Sequence, residues 1–235
     1  MEPSAPKLPE GRPVKAFDYW RSATDPGHRH SSPWWTEFYA RELLLYFPKG
    51  CGSVLECGCG TGTFFPWIRD LCSDYVGVDF SDSMLKAFSK DWPEVELVCS
   101  DAANLPIGEG KMVPESFDFI FSNQVCQFFD RGGVRSHLDC VSKLLRPGGQ
   151  VLVANVPDAQ LRLHFYAGAL RSDRNRSWIR GAKNIAIATI GNRDGIGHWY
   201  TRQFLAEEAS RFGFETTSFS SASLEYRFHI LLRRK

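Results

Sequence analysis

The chain has 235 residues, of which 43% are hydrophobic and 23% are charged, and its formal net charge at pH 7 is +1. These values suit one globular domain, and the near-neutral charge gives no general attraction to nucleic acid or to membrane surfaces. No apolar run approaches the ~18 residues of a membrane span, and the polar N-terminus lacks the pattern of a signal peptide. Seven cysteines, an odd number, favour reduced thiols and a cytoplasmic location. Their spacing does not match a zinc site, so no metal is expected.

Residues 1–49 predict a tail followed by cap helices. Residues 1–13 contain four prolines and few large apolar side chains, which is typical of a loose tail. Helices are predicted over 14–22 and 33–47, the second starting at Pro33 and ending before Pro48. The remainder, 50–235, is predicted to form the main domain.

The next segment predicts a strand that turns sharply into a helix. Val54 and Leu55 lead to the acid Glu56, glycines follow at alternate positions, and apolar residues then recur at helical spacing. The alternating glycines are Gly58, Gly60 and Gly62. A phosphate-binding loop would end in Gly-Lys-Ser/Thr, and a dinucleotide fingerprint would read G-x-G-x-x-G; neither pattern is present. An ordinary glycine turn remains the alternative for this loop alone.

Strands and helices then alternate along the chain. Further strands are predicted over 75–79, 95–99, 117–122 and 150–155, and helices from 81 and over 131–145. Such alternation indicates a parallel sheet with right-handed crossovers, helices on both faces and ligands at the carboxyl ends of the strands. A helix over 202–212 and an antiparallel pair of strands over 214–220 and 225–232 close the chain.

Four features in this order resemble the class I methyltransferases that use S-adenosylmethionine. They are the Glu56-x-Gly58-x-Gly60-x-Gly62 motif, Asp79 closing the second strand, Asp101 after the third, and Leu-Arg-Pro-Gly-Gly before the fifth. The resemblance covers residues 50–155. It implies an α/β three-layer sandwich with a mostly parallel, seven-stranded sheet, an antiparallel last strand and helices on both faces.

The resemblance also implies a cofactor site for S-adenosylmethionine, with S-adenosylhomocysteine as product. Glu56 would help to hold the cationic amino end, while the loop of Gly58, Gly60 and Gly62 would underlie the ribose and methionine parts. Asp79 would accept hydrogen bonds from the ribose hydroxyls.

The same resemblance places further residues at the two ends of this site. Phe80 would lie on the adenine face, Asp101 would accept from the adenine amino group, and the Ala102 main chain would complete the base edge. Asn123 would face the transferring methyl group, and Tyr19 would belong to an N-terminal lid. Packing of the N-terminal aromatic residues on the domain is the alternative for that lid.

Residues 157–200 predict a substrate-binding insertion or lid. The segment 157–203 carries eight basic residues against three acids, and a connection of this length without structure of its own is rare. Arg174 and Arg176 are candidate contacts for a phosphate or carboxylate group of the substrate. A solvated surface with scattered arginines is the alternative.

Other substrate candidates follow the fourth strand, the insertion and the turn into the last strand. They are Gln124, Trp199, Tyr200, Tyr226 and Arg227. The N/D-P-P-Y/F signature of methyltransferases that act on amino groups of bases is absent. His198, where the insertion returns to the sheet, is the candidate general base, with a packing role as the alternative.

The sequence therefore predicts a methyltransferase that acts on a small polar, and by its arginines anionic, metabolite, with O-methylation as the favoured reaction. Two alternatives are N-methylation of a small amine or amino sugar, and a non-catalytic cofactor-binding subunit. A dehydrogenase is disfavoured by the glycine spacing. No nucleic-acid or membrane partner is expected, and the chain is expected to be a monomer or a homodimer.

Overall fold

The structure, a computed structural model, describes residues 33–172, 186, 193–194 and 196–234. The helices are α1 (Pro33–Leu44), α2 (Phe65–Ile68), α3 (Asp82–Asp91), α4 (Arg131–Leu144), α5 (Arg162–Ser172) and α6 (Arg202–Ser210). The strands are β1 (Cys51–Cys57), β2 (Cys72–Asp79), β3 (Glu96–Cys99), β4 (Phe117–Asn123), β5 (Leu145–Pro157), β6 (Arg193–Asp194), β7 (Gly197–His198), β8 (Phe214–Ser220) and β9 (Arg227–Arg234). Short 3₁₀ helices cover Cys126–Phe128 and Ala159–Leu161.

A seven-stranded sheet forms the centre of the fold, in the order β3-β2-β1-β4-β5-β9-β8. Strands β1 to β5 pair in parallel, whereas β9 runs antiparallel to both β5 and β8. The predicted sheet with an antiparallel last strand is therefore confirmed. The chain leaves β1 toward β2 on one side and leaves β4 toward β5 on the other. These two connections open a crevice at the carboxyl ends of the paired strands β1 and β4.

The strands are buried on both faces because helices cover each side of the sheet. On one face Val141 and Leu144 of α4 and Leu205 of α6 pack against β4 and β5. On the other face Leu43 of α1 and Phe88 of α3 pack against β1 and β2. Near-continuous apolar sequence in the central strands fits burial on both faces, and the three layers agree with the predicted sandwich.

The glycine loop leads into a shorter helix than its apolar spacing predicts. Helix α2 covers only Phe65–Ile68, with a proline in its first turn, and β2 already begins at Cys72. The apolar spacing continues to Leu71, but residues 69–71 are exposed and form a turn, so the spacing extends beyond the helix. Helix α1 likewise ends at Leu44 instead of residue 47. The helix predicted over 14–22 lies outside the described residues.

The predicted insertion leaves and rejoins the sheet at one point. Tyr200 N–H donates to the Pro157 carbonyl (3.0 Å), and Ala159 N–H donates to the Tyr200 carbonyl (2.9 Å). Between these anchors lie α5 and the short β6–β7 pair, of which β7 packs on the 3₁₀ helix after β4. None of the helices in the described part of the chain is long and apolar enough to cross a bilayer.

Candidate active site

The glycine loop is fastened to the end of β2 by main-chain hydrogen bonds. The N–H groups of Gly58 and Cys59 both donate to the Val78 carbonyl, at 2.7 and 3.0 Å. Gly58, Gly60 and Gly62 have φ values of +79°, +55° and +77°, a region that side chains other than glycine rarely adopt. A Cβ atom on Gly58 would lie 2.3 Å from Val125 Cγ2, so the loop also requires glycine for packing.

Asp79 joins this loop to the start of α3. Its Oδ2 accepts from Gly60 N–H and its Oδ1 accepts from Ser81 N–H, both at 2.9 Å. Burial raises the pKa of the Asp79 carboxyl, and these main-chain donors oppose that rise. Phe80 N–H donates to the same carboxyl, and since a carboxylate has about four acceptor sites, the group keeps acceptor capacity toward the cavity that it lines.

A cavity of about 210 Å³ lies at the carboxyl ends of β1, β2 and β4. It brings together seven of the predicted residues: Gly58, Gly60, Asp79, Phe80, Asp101, Ala102 and Asn123. The predicted substrate residue Gln124 lines it as well. Two carboxylates facing an apolar wall fit a nucleoside, whose hydroxyls and amino group are donors and whose base is flat and apolar.

Five further residues line this cavity and were not predicted from the sequence: Met84, Val125, Gln127, Phe128 and Phe129. Met84 comes one helical turn after Asp79 and Phe80, and the others form the segment after β4. The position of that segment at a strand end is a signal that could have identified them, but their spacing has no distinctive pattern.

The turn after β3 is held from behind by a buried histidine. Asp101 Oδ1 accepts from Ala103 N–H (2.9 Å), and His137 Nδ1 lies 2.7 Å from the Ala102 carbonyl. His137 is fully buried on α4, and this burial lowers its pKa. A neutral imidazole that donates from Nδ1 therefore fixes the Asp101–Ala102 turn. His137 occupies a core position of an amphipathic helix, which gives no sequence signal for this function.

Glu56 lies beneath the loop instead of on the cavity wall. Its carboxyl is 2% exposed and accepts from the Tyr75 hydroxyl at 2.5 Å. Burial raises the pKa of Glu56 to about 8, the Tyr75 hydrogen bond opposes the rise, and nearby Asp79 adds to it. Glu56 is thus adjacent to the site through the loop that follows it, and no sequence pattern indicates Tyr75 as its partner.

Side chains from α1, β4 and β5 meet at the other end of the cavity. Gln124 has a φ of +58° and donates from Nε2 to the Tyr39 hydroxyl at 2.7 Å. Asn155, also at positive φ (+55°), donates from Nδ2 to Asn123 Oδ1 at 2.8 Å. Two non-glycine residues in the left-handed region, one just after β4 and one at the irregularity of β5, are typical of a functional site.

Arg227 lies behind this end of the cavity. It is 4% exposed, and its Nη1 donates to Gln127 Oε1 (2.6 Å) and to the Asn155 carbonyl (2.5 Å). Its Cζ lies 5.1 Å from the centroid of the Tyr226 ring. The predicted residues Tyr226 and Arg227 therefore lie at the carboxyl edge of the parallel strands, with Gln127 between Arg227 and the cavity.

The other candidates from the insertion pack beside the cavity without lining it. Trp199 and Tyr200 are each 2% exposed. Tyr200 donates to the Phe129 carbonyl (2.6 Å), and the His198 ring packs on Tyr200 with centroids 6.1 Å apart. Tyr200 thus supports the cavity wall from outside, whereas Trp199 packs on Phe165, Tyr166 and Tyr226. Tyr19, Arg174 and Arg176 lie outside the described residues.

An aromatic cluster formed by Phe165, Tyr166, Trp199 and Tyr226 stands next to Arg227. Ring centroids in it are 4.3 to 6.4 Å apart, the shortest distance joining Phe165 and Tyr226. This aromatic cluster connects α5 of the insertion to the start of β9. It was not predicted as a unit, although Trp199 and Tyr226 were each predicted as substrate contacts.

Comparisons with known proteins agree with this geometry. Residues 55–153 match the sequence family described as a methyltransferase domain. The chain is 30% identical over 179 residues to a demethylmenaquinone methyltransferase of Paenarthrobacter aurescens, covering 72% of this chain and 65% of that protein. It is 28% identical over 159 residues to a malonyl-[acyl-carrier protein] O-methyltransferase of Pseudescherichia vulneris, covering 61% and 60%. The chain spans less than two thirds of the length of either relative.

The fold has solved counterparts as well. The N-methyltransferase NodS of Bradyrhizobium japonicum, in complex with S-adenosyl-L-homocysteine, superposes with a TM-score of 0.61 at 17% identity, covering 93% of this chain and 96% of that one. At this identity the likeness concerns the fold alone.

Sheet order, glycine loop and cavity together define a Rossmann-like domain built to hold a nucleoside at its switch point. The family match over residues 55–153 and the shared fold support a class I, S-adenosylmethionine-dependent methyltransferase domain.

Proposed function

We propose that this protein transfers the methyl group of S-adenosylmethionine to a small polar acceptor. The observation that carries the proposal is the joint cavity of Asp79, Asp101, the glycine loop and Asn123 at the carboxyl edge of the sheet. A nucleoside held between the two carboxylates would direct the rest of the cofactor toward Asn123 and Gln124.

The residues present fit this cofactor. The free acceptor sites on Asp79 suit the ribose hydroxyls, Phe80 suits the flat face of the base, and the Asp101–Ala102 turn suits its polar edge. The cofactor supplies a methyl group on a sulfonium, which is already activated for transfer. The chain's own task is then alignment: Asn123 and Gln124 orient the acceptor, and the buried walls exclude water.

Oxygen is the acceptor atom that we favour. The malonyl-[acyl-carrier protein] O-methyltransferase among the relatives supports this choice. A carboxylate acceptor would need no proton removed, whereas a hydroxyl acceptor would need a base, and His198, predicted for that role, packs on Tyr200 without lining the cavity. The second candidate is N-methylation of a small amine, favoured by the likeness to a phosphoethanolamine N-methyltransferase of Triticum aestivum, 26% identical over 117 residues.

Titration calorimetry with S-adenosylhomocysteine tests the cofactor site. Asp79→Ala removes both carboxylate oxygens and should weaken binding at least tenfold, about 1.4 kcal/mol. Asp74→Ala is the matched control, because Asp74 lies on the same strand but pairs with Lys111 at 2.8 Å away from the cavity. Unchanged affinity in a folded Asp79→Ala protein would refute the assignment.

Turnover separates an enzyme from a cofactor-binding subunit. The purified chain is incubated with a metabolite extract and methyl-labelled cofactor, and labelled small molecules are identified by mass spectrometry. Labelled product in the wild type and its loss in Asp79→Ala are expected. A chain that binds the cofactor with normal affinity but labels nothing would favour the non-catalytic alternative.

A further inference from the structure

Arg227 is a buried cation without a carboxylate partner in the part of the chain that the structure describes. Other arginines of the domain are paired with acids: Arg202 with Asp158 (3.1 Å) and Arg146 with Asp118 (2.8 Å). A guanidinium that is only 4% exposed loses most of its hydration, and this cost is usually offset by an anion. Here only neutral groups compensate it.

The hydrogen bonds of Arg227 leave one edge of the guanidinium unused. Both contacts, to Gln127 Oε1 and to the Asn155 carbonyl, come from Nη1. Nε is buried and has no hydrogen-bond partner among the described residues. Nε and Nη2 form the edge that grips a carboxylate or phosphate through two parallel hydrogen bonds.

The surroundings of this edge suit a ligand that combines a ring with an anion. Tyr226 packs on the guanidinium, and the aromatic cluster of Phe165, Tyr166, Trp199 and Tyr226 continues from it. On the opposite side, Gln127 joins Arg227 to the cavity wall. Arg227 therefore stands where an acceptor that reaches toward the methyl group could place a second, charged group.

We propose that the Nε–Nη2 edge of Arg227 binds a carboxylate or phosphate group of the acceptor, so that this residue selects anionic substrates. This inference rests on the proposed function for the identity of the ligand as acceptor. It assigns the recognition of negative charge to a residue of the last strand, and it does not depend on the anion contacts predicted for Arg174 and Arg176.

The test uses benzoate and benzamide, which have the same ring and nearly the same shape but differ in charge. Binding of each is measured by calorimetry to the full chain saturated with S-adenosylhomocysteine, at constant ionic strength. The wild type should bind benzoate at least tenfold more tightly than benzamide. Arg227→Met should remove that preference. Arg146→Met should keep it, because Arg146 binds Asp118 near the amino ends of β4 and β5, away from the cavity.

Arg227→Lys is a second variant that tests the inference if Arg227→Met does not fold. Lysine retains the charge but lacks the fork, so the preference for benzoate should fall at least threefold while the affinity for S-adenosylhomocysteine stays at the wild-type value. Inorganic phosphate, as competitor, distinguishes the two anions: displacement of benzoate indicates a site that also takes phosphate, and failure to displace it indicates a carboxylate site.

Two results would overturn the inference. One is a wild type that binds benzoate no better than benzamide; the other is a folded Arg227→Met or Arg227→Lys protein with the wild-type preference. Failure of the proposed function looks different, because the wild type would then not bind S-adenosylhomocysteine, whatever its response to benzoate.

Discussion

At the scale of single residues, burial sets the charge of the groups beneath the glycine loop. Glu56 has no cation near it in the described residues and is held by the neutral Tyr75 hydroxyl. With its pKa raised to about 8, the carboxyl is protonated in the folded chain at neutral pH. A ligand ammonium group close to the loop would favour the ionised form, so proton release would accompany its binding.

Glu56→Gln should make the unfolding free energy less dependent on pH. In the wild type the unfolded carboxyl ionises near its ordinary pKa of 4.5 and the folded one near 8, so stability falls as pH rises between these values. One such group contributes at most about 1.4 kcal/mol per pH unit. Urea unfolding of both proteins at several pH values measures the difference. Glu109→Gln, at an exposed position, is the control, and equal slopes for Glu56→Gln and wild type would contradict the prediction.

At the scale of elements, the loop between β1 and α2 depends on glycine for two separable reasons. Gly62 has a φ of +77°, and a Cβ atom there would lie 2.5 Å from the Phe88 ring of α3. Gly148 before the central part of β5 has nearly the same φ, +76°, but nothing lies within 4 Å of its Cβ position. A comparison of substitutions at Gly62 and Gly148 therefore separates the cost of backbone strain from the cost of close packing.

Gly62→Ala should destabilise the protein by about 3 kcal/mol, and Gly148→Ala by about 1 kcal/mol. Backbone strain lowers the unfolding free energy of both variants alike. The additional loss in Gly62→Ala measures the cost of displacing Phe88. Denaturant unfolding gives both values. Equal losses at the two positions would mean that Phe88 moves aside at no cost.

The elements show which parts of the fold could be predicted from the sequence. Strands β1 to β5 and the closing β8–β9 pair were predictable because apolar runs and turn residues are local signals. The length of α2 was not, because the apolar spacing continues to Leu71, which lies in an exposed turn after the helix. Within the site, Asp79 and Asp101 follow directly from their places at strand ends. Gln127 and His137 do not, since their roles depend on partners 100 and 35 residues away.

At the scale of the whole molecule, one carboxylate joins the first described helix to the last hairpin. Glu42 of α1 accepts from the N–H groups of Ala222 (2.5 Å) and Ser223 (3.1 Å) and contacts His229 Nε2 at 2.9 Å. His229 Nδ1 in turn accepts from Asn155 N–H, which fixes the neutral tautomer with its proton on Nε2. The same helix holds Gln124 through Tyr39, so α1 is fixed both to the last hairpin and to the segment after β4.

Glu42→Gln should loosen this clamp and lower the unfolding free energy at pH 7 by about 2 kcal/mol. Burial opposes ionisation of Glu42, but the hydrogen bonds from His229, Ser223 and Ala222 prevail and hold its pKa at about 2. A depressed carboxyl pKa stabilises the fold above the unfolded value of 4.5, and that contribution disappears as pH falls through about 2. The unfolding free energies of the variant and the wild type should therefore converge in strongly acidic solution.

Glu37→Gln is the matched control, because Glu37 lies on the same helix but, among the described residues, pairs only with exposed Arg41. Hydrogen exchange should show faster exchange of the α1 amides in Glu42→Gln and not in Glu37→Gln. If the two variants lose equal stability at pH 7, α1 is held by its apolar face alone and Glu42 contributes no more than a surface charge.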